Sequence, residues 1–333
     1  MPAEPRGRWT SFVAPAPNPP TGEATRSAGV TTAPVDTDQH DSPTDDEPAD
    51  DRTAGEVATV ALGAAVELYL EHEGALERSD DSTHVHQARV ATRRLRSHLR
   101  VFGDVLDRAW TDDLRAESRW VGRLLGAARD PDVLGERLTG RIERLPASDH
   151  VAAETIITRV RARRENAGTE LASALSGPRY DAWRSSLVEA ARAPRLGSIG
   201  GSPARIVLPP IAARLWEELE EYVASLGADP TDEALHRVRI ATKRSRYATE
   251  AVAPVIGEPA RRLAAALRRL QNRLGEHQDA VIAQSWLRGV AVQSPSDVAF
   301  VAGELAAIER RAAQDARAAW PRAWRRASDA RLH

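Results

Sequence analysis

Beyond Gly55, apolar residues recur every three or four positions through most of the chain, the period of an amphipathic helix rather than the alternation of a half-buried strand. The segments that carry it read GEVATVALGAAVELYLEHEGAL, TDDLRAESRWVGRLLGAARD, AAETIITRVRARRENAGTELASAL, PPIAARLWEELEEYVASL, PARRLAAALRRLQNRLGEHQD and DVAFVAGELAAIERRAAQDARAAW. Breaks fall at RSDDST, RLPASD, SGPRY, LGADPTD, IGEPA and QSPSD, clusters of residues that end helices and make turns. The longest, APRLGSIGGSPAR from Ala193 to Arg205, divides the region into halves of similar length. The expected fold is all-α: two antiparallel four-helix bundles with pseudo-twofold symmetry, over residues 55–195 and 206–333, joined by the Gly-rich segment.

The two halves are related. His86, Arg89, Ala91, Thr92, Arg94 and Arg96 correspond to His236, Arg239, Ala241, Thr242, Arg244 and Arg246 at an offset of 150, with Arg93 matched by Lys243. A second block, LGAARDPDV against LGEHQDAVI, agrees at an offset of 149 and shares a Leu-Gly pair and an aspartate, Asp130 or Asp279. Two blocks in the same order point to a duplicated helical unit.

On a helix of about 100° per residue, His86, Arg89, Arg93, Arg96 and Arg100 fall within an arc of about 80°. Ala88, Ala91, Leu95, Leu99, Phe102 and Leu106 lie opposite. His236, Arg239, Lys243 and Arg246 fill the equivalent arc of the second copy, which is one turn shorter because Glu250 comes next. No acid occurs between Asp81 and Asp104 or between Glu233 and Glu250. Like charges at these spacings cost roughly 0.2 to 0.5 kcal/mol per pair, so the stripes call for an offsetting anion or for facing carboxylates such as those of Glu217 to Glu221. Arginine forks bind phosphate oxygens bidentately, and a stripe of about 21 Å suits an extended polyanion. Arg119, Arg123, Arg269 and Arg273, on the flanking helices, are second-line contacts; Arg115 begins the same row. Asp130 and Asp279 are expected to terminate or brace helices.

Charge and composition narrow the picture. Residues 1–54 hold ten acidic against four basic residues and many prolines, the composition of a disordered acidic tail; the formal net charge of −2 therefore conceals a basic body. With no cysteine, disulfides, thiolate metal sites and thiol nucleophiles are excluded. Lys243 is the only lysine, so a GxxxxGK[ST] phosphate loop is excluded as well. No signal segment or membrane span is apparent, and a soluble, cytoplasmic protein is expected.

With their spacing, HQARVATRRLRSHLRVF and LHRVRIATKRSRYATE, followed by LLGAARDPDVL and LQNRLGEHQDAVI, resemble the two halves of a CHAD domain, the conserved histidine α-helical domain, over about Gly55 to His333. The resemblance implies basic helices lining a central groove or pore, binding of inorganic polyphosphate, and association with polyphosphate granules. By motif position the binding surface would comprise His86, Arg89, Arg93, Arg94 and Arg96 with His236, Arg239, Lys243, Arg244 and Arg246; Arg100, next along the first stripe, is expected to join them. Many relatives add a triphosphate tunnel domain with an ExExK signature, which this sequence does not contain.

Three functions compete at this level. Non-catalytic polyphosphate binding, with no cofactor and no metal, accounts for both stripes. Nucleic-acid binding would use the same phosphates, but aromatic residues make up only 5% of the chain and none lies inside the first stripe, so stacking platforms are not evident. A metal-dependent phosphohydrolase would need clustered His and carboxylate ligands, and no HExxH is present. The role of His86 and His236 stays open between a phosphate contact and a structural hydrogen bond.

Overall fold

The computed structural model describes residues 51–76 and 82–332. The acidic tail expected over residues 1–54 lies almost wholly outside them, as does most of the RSDDST break. Among the described residues nine α-helices follow in the order α1 (Ala54–Glu73), α2 (Ser82–Val101), α3 (Arg108–Ile142), α4 (His150–Leu175), α5 (Pro178–Arg192), α6 (Ala204–Ala224), α7 (Asp232–Ile256), α8 (Glu258–Val292) and α9 (Ser296–Asp329). The fold is all-α, as the periodicity predicts.

The helix starts repeat the sequence offset. The first residues of α6, α7 and α8 each stand 150 positions after those of α1, α2 and α3, and α3 and α8 are both 35 residues long. Side-chain caps fix several of these starts by satisfying N–H groups left free at a helix end. Thr53 and Glu56 form a reciprocal capping box on α1, Asp107 accepts from Trp110 N at 2.8 Å on α3, and Thr231 accepts from Ala234 N at 3.1 Å on α7. The copies diverge at their last helix. In the first, Gly177 is extended and Pro178 opens α5, because proline lacks an N–H and suits a first helical turn. In the second, α9 runs on through Pro321. The first half thus has five helices where four were expected, and the second has four.

The Gly-rich segment between the halves is pinned rather than loose. Gly197 N donates to Val105 O, Asp107 N to Arg195 O, Gly55 N to Gly200 O, Ala54 N to Ser202 O and Ala204 N to Arg52 O, all at 2.8 to 2.9 Å. Its glycines follow from that closeness: a Cβ on Gly197 would sit 2.8 Å from Leu106 O, and one on Gly200 2.9 Å from Leu196 Cβ. The segment ties the entry of α1 to the α2–α3 turn.

Three apolar clusters hold the helices. One joins α1, α2, α5 and the first half of α3 to the start of α6 and to Ala248, Ala251 and Val252 of α7, so the two halves share a core. A second packs the far ends of α3 and α8 with the starts of α4 and α9. The third sits among α6, α7, α8 and the end of α9. Ala88, Ala91, Leu95 and Leu99 of α2 are buried, as are Phe102 and Leu106 just beyond it. With that face turned to the core, α2 presents its arginine stripe outward, and α7 packs beside it.

Candidate functional site: a cationic cleft

The two stripes open into one cleft of about 690 Å³. From α2 come Arg89, Arg93, Arg96 and Arg100; from α7 come His236, Arg239, Lys243 and Arg244. The long helices α3 and α8 supply Arg115, Arg119, Arg137, Gln278 and both aspartates. Ten arginine and lysine side chains therefore face two carboxylates.

Neighbouring groups orient these cations. Arg93 Nε donates across the α2–α7 boundary to the Tyr247 hydroxyl at 2.7 Å. Arg89 pairs with Asp130 at 3.0 Å. His236 Nδ1 lies 2.8 Å from Gln278 Oε1, an acceptor that calls for the proton on Nδ1. Thr92 and Thr242, buried at matching positions, each donate to the carbonyl one turn back at 2.8 Å. The repeated Leu-Gly pair also has a reason. The Arg89 guanidinium lies over Gly126 and that of Arg239 over Gly275, where a Cβ would stand 3.8 and 3.7 Å from the respective Nε. A side chain larger than alanine would take the guanidinium's place.

Deeper in the fold, Arg137 Nε donates to Glu309 Oε2 at 2.7 Å and its terminal nitrogen to Glu276 Oε1 at 2.9 Å. Arg141 Nε donates to the other Glu309 oxygen at 3.0 Å. Glu309 is fully buried, so this network joins α3 to α9 and fixes Arg137 in the cleft lining.

The remaining cations are crowded. Burial first, then the charges of Arg119, Arg115 and Arg123, pull the pKa of Arg96 below the ordinary arginine value. Arg100 is lowered by burial and by Arg244. Burial lowers Arg239 too, against the pull of Asp279, and its buried Nε has no hydrogen-bond partner among the described residues. Lys243 is pushed down to about 6 by burial and by Arg239, Arg93 and Arg89. Asp279 is raised, because burial outweighs the arginines around it. Cations that press down one another's pKa are short of neighbouring negative charge, and an anion entering the cleft would raise those values again.

Not every residue of the repeated motif reaches the cleft. His86 and Arg94 are half-buried on α2 outside its lining, although their counterparts His236 and Arg244 are part of it. Arg246 is 4% exposed; its guanidinium lies 4.6 Å over the Tyr247 ring and its Nε 3.6 Å from Glu250. The carboxylate one turn on holds Arg246 back, whereas α2 has Arg100 in that place. Of the second-line arginines, Arg119 lines the cleft, while Arg123, Arg269 and Arg273 are exposed and outside its lining, Arg123 still acting on Arg96. Asp130 and Asp279 terminate no helix. They lie inside α3 and α8, and Asp130 braces an arginine. The repeated second block was their signal. Arg115 stood in the arginine row of α3, Tyr247 and Gln278 stood inside the quoted motifs without a charge to mark them, and Arg137 had no local signal.

Duplicated basic helices around one donor-rich cleft are thus the defining feature of this all-helical protein. The chain belongs to the CHAD domain family, whose model matches residues 60–288. It is 29% identical over 258 residues to the uncharacterized protein MT2285 of Mycobacterium tuberculosis, a match covering 74% of this chain and 48% of that protein, so the chain spans about half the length of this curated relative. The crystal structure of the CHAD domain from the plant Ricinus communis is similar, with a TM-score of 0.63 and 30% identity over 80% of this chain and 90% of that one. PptA from Streptomyces chartreusis shares the fold, with a TM-score of 0.69 and 23% identity over 82% of this chain and all of that one.

Proposed function

We propose that the chain binds inorganic polyphosphate in the cleft between α2 and α7 and does not hydrolyse it. The observation that carries this is the lining itself: ten arginine and lysine side chains drawn from both motif copies, against two carboxylates. From Arg89 to Arg100 the α2 row extends about 16 Å at 1.5 Å per residue, so an extended chain of phosphates meets successive guanidinium forks. Membership of the CHAD family supports the same reading. Tyr247, the one Phe, Tyr or Trp in the lining, has its hydroxyl engaged by Arg93 and its ring covered by Arg246. Tyr247 is thus engaged within the protein rather than offered to a base, which favours polyphosphate over nucleic acid. Among the described residues no three His, Asp or Glu side chains gather as a metal-binding group, which favours binding over metal-dependent hydrolysis. Association with polyphosphate granules in the cytoplasm belongs to the same proposal. No helix among the described residues is long and apolar enough to cross a membrane.

Titration with long-chain polyphosphate at moderate salt is the test. The chain is expected to bind and to melt at a higher temperature when saturated, and Arg93→Glu combined with Lys243→Glu is expected to weaken binding by roughly a hundredfold or more. Absence of both binding and thermal shift would overturn the proposal. Displacement by RNA or duplex DNA at equal phosphate concentration would move it to nucleic acid, and release of orthophosphate with added Mg or Mn would make the chain an enzyme.

A further inference from the structure

Lys243 is the one lysine in the chain and stands where the first motif copy has Arg93. It is half-buried in the cleft lining. Arg89 and Arg93 of α2, Arg239 of its own helix and Asp279 of α8 are the charged groups that act on it. Arginine keeps its proton in such surroundings, whereas lysine gives it up. With its pKa pushed down to about 6, Lys243 is mostly a free amine at pH 7, a state that an ordinary lysine reaches in only about one molecule in a few thousand. The same cleft exposes two aliphatic side chains, Ile240 and Ile282, at 37% and 53%. A neutral nucleophile, guanidinium groups suited to a phosphoryl group and an aliphatic surface thus share one cleft.

We propose that Lys243 is a site of non-enzymatic acylation by small acyl phosphates, of which acetyl phosphate is the simplest. The inference rests on the reading of the cleft as a phosphate site. Arg89, Arg93 and Arg239 hold the phosphoryl group, and the alkyl end of the acyl group packs on Ile240. The Nζ lone pair attacks the carbonyl carbon. A C–N bond forms, the C–O bond to phosphate breaks, and phosphate leaves with that electron pair and takes up the amine proton. The products are an amide and inorganic phosphate, with nothing oxidised or reduced. The guanidinium groups stabilise the charge that builds on the leaving phosphate. The amide carries no charge, so acylation removes a cation from the cleft. Polyphosphate, by occupying the arginines that hold the phosphoryl group, excludes the acyl phosphate and so protects the amine.

The full chain, incubated with acetyl phosphate at pH 7, 8 and 9, is read by intact mass and peptide mapping, with a lysine amide as the reference. Acetylation at Lys243 is expected to saturate with acetyl phosphate, to run roughly tenfold or more above the amide at pH 7, and to be suppressed by long-chain polyphosphate. Between pH 7 and 9 its rate is expected to change by less than about threefold, whereas that of the amide rises about tenfold per unit. A rate no faster than the amide, or one climbing tenfold per unit, overturns the inference. In Arg89→Gln, slower acetylation without saturation is expected, and an unchanged rate overturns the docking of the phosphoryl group. Polyphosphate titration of the untreated chain is read separately. Binding without acetylation overturns this inference alone, and acetylation without polyphosphate binding overturns the proposed function alone.

Discussion

Lys243 and Arg93 occupy equivalent positions, yet only one of them can shed its proton near neutrality. The Lys243 pKa falls from 10.5 to about 6 on folding, so between those values the unfolded chain binds one proton more than the folded chain. Stability contributed by this group therefore rises with pH from about 6 toward 10.5 and is lowest below 6, where the buried ammonium must be tolerated. The melting temperature is expected to climb across that window, and Lys243→Met is expected to flatten the climb. Bound polyphosphate raises the pKa again, so binding at pH 8 is expected to take up a proton, and calorimetry in two buffers of different ionisation enthalpy would measure it. The arginine stripe was legible because helical periodicity and the absence of acids are properties of the chain alone. Whether a given stripe residue reaches the cleft was not: Arg246 is drawn onto Tyr247 and Glu250, while Arg96, its counterpart, faces the other cations.

Among the elements, α3 and α9 illustrate what local pattern cannot state. Helix α3 was legible up to Asp130 from its apolar period, but it continues through Pro131 to Ile142. That continuation carries Arg137 and Arg141 to Glu309, about 170 residues away in sequence. Breaking a buried ion pair by removing one partner costs on the order of 3 to 5 kcal/mol. Glu309→Gln is accordingly expected to lower the unfolding free energy by on the order of 3 kcal/mol, read as a lower denaturant midpoint with little change in slope. A shift below about 0.5 kcal/mol would mean that the two arginines find other partners. The break between α4 and α5 belongs to this scale as well. SGPRY correctly marked it, while Pro321 is absorbed within the continuous helix α9.

For the whole molecule, the consequence of bringing two copies together is a field that neither copy has alone. A polyphosphate chain seated along Arg89, Arg93, Arg96 and Arg100 and crossed by Arg239 and Arg244 would displace roughly six counterions. With the coefficient that holds for single strands, the logarithm of affinity is expected to fall with the logarithm of salt at a slope of about −4. A slope near −1 would indicate a single phosphate contact and refute an extended occupant. The sequence by itself determined the helical class, the duplication, the acid-free stripes and the positions of most breaks, because all of these follow from periodicity and charge along one chain. Only the tertiary structure decided that the halves share a core, that the Gly-rich segment is bonded in place, and that Arg115, Arg137, Tyr247 and two aspartates join the cleft while His86, Arg94 and Arg246 stay out of it. Those outcomes depend on helix packing and on burial among distant charges, and neither is encoded in the spacing of residues within a single helix.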